Sequence, residues 1–277
     1  MDILVFILLY LKGLLVLGLL MACIAFLVLG PLYLLLWFGP HFWLPFRPGG
    51  KGEDGLLIWC EPIRFLGGRW GRRPVCWCMR KMGFRGRYMS FSWHNALEGT
   101  LVLPALMNHK KNARKAAELA KIITDQRRQF PDAPIYLLGN SSGAYIALLA
   151  TELLDEDIHV DYLSLLAGTI HCRHDLSIAL RRVKTKLLVS ASLGDFPANG
   201  IATLIFGAAD RRHGPAMGFI GAFDPDSGEA FKHPKFEQLC WRPWMVTIGC
   251  FGMHDWCMVN GWLTQVLAPK LGLAKQG

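Results

Sequence analysis

The chain has 277 residues, of which 52% are hydrophobic, and its formal net charge at pH 7 is +9. This length suffices for one large α/β domain with an appendage, and the positive charge favours anionic partners, either lipid headgroups or nucleic acid. Eight cysteines without C-x-x-C spacing argue against a zinc ribbon, and a chain of this size needs no disulfide staples, so a reducing compartment is favoured.

Residues 1–46 are the most hydrophobic part of the chain. The run from Ile3 to Phe38 is almost entirely apolar and is interrupted only by Lys12 and by the Gly30-Pro31 pair. A membrane-spanning helix needs about 20 such residues. The segment has neither the basic start nor the small-residue cleavage site of a signal peptide. We therefore predict a retained N-terminal membrane anchor followed by an interfacial segment, and Pro31 leaves open a re-entrant hairpin.

The charges around this segment bear on its orientation. Positive residues after the anchor, beginning with Arg47 and Lys51, outnumber those before it. Lysine and arginine flanks favour the cytoplasmic side of a membrane. We therefore expect a single-pass anchor with the C-terminal domain in the cytoplasm.

Residues 47–86 are predicted to be a basic linker followed by the first strands, at Leu56–Cys60 and Val75–Met79. No acidic residue occurs between Glu61 and Glu98, a window that contains Arg64, Arg69, Arg72, Arg73, Arg80, Lys81, Arg85 and Arg87. Three interpretations stay open for this basic connector. It is a solvated face of the domain, a patch facing anionic headgroups, or a surface for single-stranded nucleic acid. Nucleic acid is the least favoured because no base-reading motif is present.

Residues 87–277 alternate between strand-like and helix-like segments. Strands are predicted at 87–93, 135–138, 160–166, 186–191 and 244–250, and helices at 112–130, 144–154, 176–183 and 262–271. This alternation predicts an α/β fold with a mostly parallel sheet flanked by helices. In such sheets the reactive groups gather at the carboxyl ends of the strands.

The stretch Gly139-Asn140-Ser141-Ser142-Gly143 fills the turn between a buried strand and an alanine-rich helix. It has the G-x-S-x-G pattern, in which a serine on a strained strand-to-helix turn exposes its hydroxyl and the glycines let neighbouring backbone pass closely. The following helix directs its N-terminal N–H groups toward an oxyanion formed beside that serine. The pattern in this context predicts that Ser141 is a nucleophile.

The chain resembles the α/β-hydrolase superfamily from about residue 87 to residue 271. The resemblance rests on this G-x-S-x-G turn and on the chain order Ser141, Asp195, His254, each after a predicted strand. It implies a serine nucleophile and acyl-transfer chemistry without a cofactor or metal. Serine needs a base to take its proton, and the base needs an acid to fix its tautomer. His254 suits the base and Asp195 the acid, with Asp210 as the second candidate for the acid.

Other assignments around the serine stay open. Ser142 is the alternative nucleophile, but the pattern places Ser141 at the tip of the turn and suits the Ser142 backbone N–H to an oxyanion hole. A second oxyanion donor is expected from the loop after the 87–93 strand, at His94 or Asn95. The His171-Cys172-Arg173-His174 stretch suggests a metal site only weakly, because no further ligand cluster accompanies it.

These features predict a membrane-anchored serine hydrolase that cleaves a small-molecule or lipid ester through Ser141, His254 and Asp195. The Gly/Pro-rich stretch between Asp195 and Trp244 is long enough to form a lid over the serine. The alternative is a catalytically inactive hydrolase-like scaffold that binds anionic membrane surfaces through the basic connector. The substrate and the oligomeric state do not follow from the sequence.

Overall fold

The computed structural model describes residues 11–18, 20, 39–64, 68–94 and 108–274. The chain divides into two units, Met1–Leu44 and Pro45–Gly277. In the first unit, residues 11–18 and 39–43 are helical. Among the described residues, no helix has both the length and the apolar character needed to cross a membrane. Most of the predicted anchor, residues 1–10, 19 and 21–38, lies outside the described residues.

The second unit contains a six-stranded sheet in which every pair of neighbouring strands is parallel. Its strands are β1 (Leu56–Cys60), β2 (Arg87–Phe91), β3 (Ile135–Asn140), β4 (Val160–Leu166), β5 (Val183–Ala191) and β6 (Phe236–Cys240). Their order across the sheet is β2-β1-β3-β4-β5-β6. β1 and β3 are buried along their whole length, which matches their nearly continuous apolar sequences. The predicted α/β fold with a parallel sheet is therefore confirmed.

Four longer helices accompany the sheet: α1 (Arg72–Lys81), α2 (His109–Gln129), α3 (Ser142–Glu152) and α4 (Ser177–Arg182). α2 buries a stripe at the spacing i, i+3, i+4, i+7, formed by Ala116, Leu119, Ala120 and Ile123. The Asn108 side chain caps this helix by accepting a hydrogen bond from the Lys111 N–H at 3.2 Å. The main hydrophobic core joins residues of α2, α3 and α4 to strands β1, β3, β4 and β5.

The strand predicted at Val75–Met79 is wrong, because this segment lies within α1. The buried side chains Val75, Cys78 and Met79 follow the spacing of one helix face rather than the alternation of a strand. Gly71 precedes the helix with a positive φ of 77°, and Pro74 lies in its first turn, where the missing N–H costs no hydrogen bond. Residues 47–86 thus supply β1 and α1 to the second unit.

The last strand is β6 at Phe236–Cys240, and the strand predicted at 244–250 is wrong. Pro243–Ile248 forms a 3₁₀ helix, and its apolar side chains Trp244 and Val246 are exposed. The predicted terminal helix at 262–271 consists of consecutive short helical segments, Asn260–Trp262, Leu263–Leu267 and Ala268–Lys270.

Candidate active site

Ser141 lies at the turn between β3 and α3. It is one of the few non-glycine residues of the described chain with a positive φ, at φ 54° and ψ −125°. Its N–H donates to the carbonyl of Leu166 at the end of β4, at 2.8 Å. A serine in this conformation is strained, and the surrounding sheet and helix hold it in place. The turn therefore has the backbone geometry that the G-x-S-x-G pattern predicts.

The two glycines of the pattern are required by close backbone contacts. A Cβ on Gly139 would lie 2.5 Å from the Gly143 carbonyl oxygen and 2.6 Å from the Cα of Ala144. A Cβ on Gly143 would collide with the carbonyl oxygens of Cys60 and Glu61, at the end of β1. Because these obstacles are backbone atoms, a side chain at either position would displace the serine turn.

Ser141, His254 and Asp195 form one continuous chain of hydrogen bonds. The Ser141 Oγ lies 2.9 Å from the His254 Nε2, and the His254 Nδ1 lies 2.8 Å from the Asp195 Oδ1. A carboxylate only accepts, so Nδ1 carries a proton and Nε2 of the neutral ring can accept the serine proton. The three residues follow β3, β5 and β6, whose carboxyl ends meet at one edge of the sheet.

Asn199 holds the acid in place, and the sequence interpretation missed it. Asp195 and Asn199 are both fully buried, and the Asn199 Nδ2 donates to the Asp195 Oδ2 at 2.6 Å. The same amide donates to the carbonyl of Ala167 at 2.9 Å, which ties the acid to the chain that leaves β4. The i, i+4 spacing of Asp195 and Asn199 was the available signal, because it places both side chains on one face of a helical turn.

The loop after β5, which carries Asp195, contacts the loop after β6, which carries His254. The Ser192 hydroxyl donates to the Gly252 carbonyl at 2.5 Å, two residues before His254. A Cβ on Gly194 would lie only 2.6 Å from the same carbonyl oxygen. The loop after β5 therefore fixes the loop after β6, and the imidazole is held beside Asp195.

The charge of Asp195 sets the proton affinity of His254. Burial lowers the pKa of His254, but the Asp195 charge, the hydrogen bond to it and the charge of Asp255 together outweigh burial and raise the pKa to about 9. The His254 side chain is still 28% exposed. A raised pKa favours the imidazolium, so the neutral ring that can act as a base becomes more abundant as the pH rises.

Three residues are predicted to bind an oxyanion: Ser142, His94 and Asn95. Ser142 is buried and begins α3, directly after Ser141. His94 is buried after β2, and its Nε2 accepts a hydrogen bond from the Arg64 N–H. Asn95 lies outside the described residues. β1 separates β2 from β3 in the sheet, so the chain that leaves β1 at Glu61 passes directly beside the serine turn.

Glu61 is a fully buried carboxylate beside this turn. Its Oε1 accepts a hydrogen bond from Arg69 at 2.8 Å and another from the Ser90 hydroxyl. Its Oε2 lies 3.5 Å from the Nε of Arg64. Buried charges need such partners, and two arginines of the basic connector are therefore used within the domain. The alternative of an inactive scaffold that binds membranes through the connector stays a prediction.

Asp210, the second candidate for the acid, belongs to another cluster. Its Oδ2 lies 2.9 Å from the His174 Nδ1, and the His174 Nε2 lies 3.4 Å from Glu152 at the end of α3. In the described part of the chain, no group of three or more His, Cys, Asp or Glu side chains could hold a metal ion. The ring of His174 belongs to this cluster, and the backbone N–H of His171 also donates to Asp210.

The His174 cluster predicts a pH-dependent stability. Burial lowers the pKa of His174, but hydrogen bonds and charges from Asp210 and Glu152 raise it to about 9. The folded pKa exceeds the unfolded value, so this stabilisation is fully present below about pH 6.5 and is lost as the pH rises through about 9. We expect His174→Gln to lower the free energy of unfolding by roughly 2–3 kcal/mol at pH 6 and by much less at pH 9.5.

Chemical denaturation of the detergent-solubilised chain at both pH values measures this difference. Asp210→Asn is the matched background, because without the Asp210 charge the pH dependence of the His174→Gln effect should shrink. An equal loss of stability at pH 6 and pH 9.5 would contradict the assignment.

No family model matches the chain, and no curated protein is significantly similar to it.

Proposed function

We propose that the protein is a serine hydrolase of the α/β-hydrolase type that cleaves a carboxylic ester. The observation that carries the proposal is the unbroken hydrogen-bond chain from the Ser141 hydroxyl through His254 to the buried Asp195. The strained conformation of Ser141, between two glycines that admit no side chain, supports it further. Serine–imidazole–carboxylate chains activate a hydroxyl that is otherwise a poor nucleophile.

In the proposed mechanism, Ser141 Oγ attacks the ester carbonyl while His254 Nε2 takes its proton. Asp195 stabilises the resulting imidazolium, and Asn199 keeps the carboxylate oriented. His254 then gives the proton to the leaving alkoxide, and an alcohol departs as the acyl-enzyme forms. Water attacks the acyl-enzyme, loses a proton to His254, and the acid product leaves as Ser141 recovers its proton.

The negative charge on the carbonyl oxygen needs donors already in place. The Ser142 backbone N–H, at the N-terminus of α3, is the first proposed donor. The chain leaving β1 passes beside the turn, because β1 and not β2 pairs with β3. Its Ile63 N–H is the second proposed donor, since Pro62 has no N–H and the N–H groups of Glu61 and Arg64 donate to Phe91 and His94. Water-excluded N–H groups of this kind contribute roughly 3–4 kcal/mol each to transition-state binding.

The cellular setting is part of the proposal. The apolar sequence of residues 1–46 supports a membrane anchor, and the positive residues after it support a cytoplasmic hydrolase domain. The proposed chemistry needs no cofactor, because Ser141, His254 and Asp195 supply the nucleophile, the base and the acid.

The direct test is labelling with a fluorophosphonate, which reacts with activated serines. The full chain, reconstituted in vesicles or detergent, should be labelled on the peptide that contains Ser141, as read by mass spectrometry. No labelling of the folded protein would count against the proposal, as would labelling at another residue.

The proposed base predicts how reactivity depends on pH. Only neutral His254 can accept the Ser141 proton, and its pKa is raised to about 9. The rate of probe labelling should therefore increase with pH, with an apparent pKa above 6.5 and toward 9. Rates measured between pH 5.5 and 10, over the range in which circular dichroism shows the fold intact, test this. An apparent pKa below 6.5 would contradict the role of the Asp195 charge.

A further inference from the structure

The segment after β5 is a helix with its polar face turned inward. It runs through a π-helical part, Phe196–Ala202, into a short α-helical part, Thr203–Phe206. Asp195, Asn199 and Thr203, at spacings of four residues, are at most 2% exposed. Surface helices normally bury their apolar stripe and expose the polar one. In this helix the buried polar stripe serves the candidate active site, so the apolar side chains are left outside.

The outer face of this helix is strongly apolar. Phe196, Leu204 and Ile205 are 51%, 61% and 59% exposed. The loop after β6 continues the same character, with Trp244, Phe251 and Met253 each at least half exposed. The close approach of Gly194 to the Gly252 carbonyl brings the two segments together. We call these six side chains the apolar rim, because they flank Asp195 in one segment and His254 in the other.

Exposed apolar side chains are concentrated in these two segments of the second unit. In the described part of the second unit, twelve large hydrophobic residues are exposed, and ten of them lie between 193 and 206 or between 244 and 253. Single exposed hydrophobic residues are common, whereas a cluster marks a surface that another apolar phase covers. This cluster lies in the two segments that carry Asp195 and His254.

The charges beside the rim indicate what covers it. Arg211 and Arg212 follow the outer helix, and Arg242 directly precedes the Trp244 loop, and all three are exposed. Asp210 is the only acidic residue from 196 to 222 and from 241 to 254, and its side chain is buried against His174. Apolar side chains bordered by exposed arginines and no exposed acid match a bilayer with anionic headgroups.

We propose that the apolar rim docks on an anionic lipid bilayer, so that the candidate active site opens toward the membrane and receives its ester from the lipid phase. The docking surface stands on its own observations, whereas the lipid nature of the ester rests on the proposed hydrolase function. Large aromatic and aliphatic side chains enter the headgroup–acyl boundary, and the adjacent arginines remain among the phosphates. An ester in that boundary could reach Ser141 without crossing water.

Docking is tested without catalysis by a nitroxide at Ile205→Cys in the full chain. The matched control is Ile178→Cys on α4, which is also exposed. The described native cysteines are buried or half-buried, and the unsubstituted chain measures their background labelling. In vesicles containing phosphatidylserine, we expect the label at 205 to be open to oxygen and shielded from an aqueous nickel chelate, and the label at 178 to remain open to the chelate.

Equal chelate access at the two positions would overturn the proposal. A label at 205 that is closed to both the chelate and oxygen would also overturn it, because a second copy or another part of the chain would then cover the rim. Shielding that is unchanged when phosphatidylcholine replaces phosphatidylserine would overturn the requirement for anionic lipid.

The substrate part is tested with Leu204→Ser/Ile205→Ser against Leu153→Ser/Ile178→Ser. Hydrolysis of an ester dispersed in anionic vesicles should fall at least about tenfold in the first variant and stay within about twofold in the second. Hydrolysis of a short water-soluble ester should be unchanged in both. A parallel loss on the soluble ester would contradict a docking role. If the unsubstituted chain hydrolyses neither ester, the hydrolase function fails and the nitroxide result still decides the docking surface.

Discussion

Replacing Ser141 with alanine is expected to abolish fluorophosphonate labelling and to lower kcat for ester hydrolysis by about 10⁴- to 10⁶-fold. The alanine removes the only atom that, in the proposed mechanism, bonds to the acyl group, while His254 and Asp195 stay paired. The fold should persist, because the lost contacts are the hydrogen bond to His254 and a 3.4 Å approach to the Thr169 hydroxyl. Labelling, ester turnover and thermal unfolding of the same preparation measure the effect.

Two variants make this result specific. Ser177→Ala removes an exposed hydroxyl that bonds to Asp175 and should leave labelling unchanged. Ser142→Ala distinguishes the adjacent serines, because alanine keeps the backbone N–H proposed for the oxyanion and removes only the side-chain hydroxyl. Labelling that survives Ser141→Ala and disappears in Ser142→Ala would move the nucleophile to Ser142.

The second large effect is expected from Asp195→Asn, which should lower kcat by about 10⁴-fold with little change in KM. An amide in place of the carboxylate removes the charge that stabilises imidazolium, and it offers His254 Nδ1 a donor that favours the wrong tautomer. The pKa of His254 should fall, because Asp195 supplies both the charge and the hydrogen bond that raise it. Steady-state kinetics and the pH profile of labelling report the two effects separately.

Asp210→Asn is the matched comparison for this variant, because both aspartates follow β5 and both are paired with a histidine. It should reduce stability through His174 and leave kcat within about twofold, because Asp210 is not part of the hydrogen-bond chain of Ser141. A loss of kcat in Asp210→Asn as large as that in Asp195→Asn would contradict the assignment of the acid.

The sequence predicts the serine turn well, because its constraints are local. Gly139 and Gly143 are needed where backbone passes at contact distance, and the alternation of strands and helices around them has a clear period. The order of Ser141, Asp195 and His254 along the chain then suffices to name the three residues that the structure brings together.

The strand assignments fail where short apolar segments leave the period ambiguous. Val75–Met79 is a run of five apolar residues, which suits a buried strand as well as a helix, but its setting after Gly71 and Pro74 is that of a helix start. The sequence does not predict β6, because Glu237 and Gln238 interrupt the apolar pattern of this edge strand. The apolar segment 244–250 is predicted as the last strand instead, because the sequence alone does not show that Trp244 and Val246 are exposed in the fold.

Asn199 and the sheet order lie beyond single-sequence reasoning for a different reason. Asn199 contacts Asp195 and the Ala167 carbonyl, and the second contact exists only once β4 and β5 are paired. The position of β1 between β2 and β3 is likewise a long-range pairing. The oxyanion donors expected at His94 or Asn95 stay a prediction, and the sequence does not show that β1 rather than β2 lies beside β3.

The sheet order also has a consequence for biosynthesis. The three residues of the site leave the ribosome in the order Ser141, Asp195, His254, and His254 reaches Ser141 only after β6 has paired with β5 near the end of the chain. Domains fold as units during synthesis. Under the proposed function, a nascent or truncated chain therefore holds an unactivated serine. Under the same proposal, newly made protein cannot cleave an ester until β6 is in place.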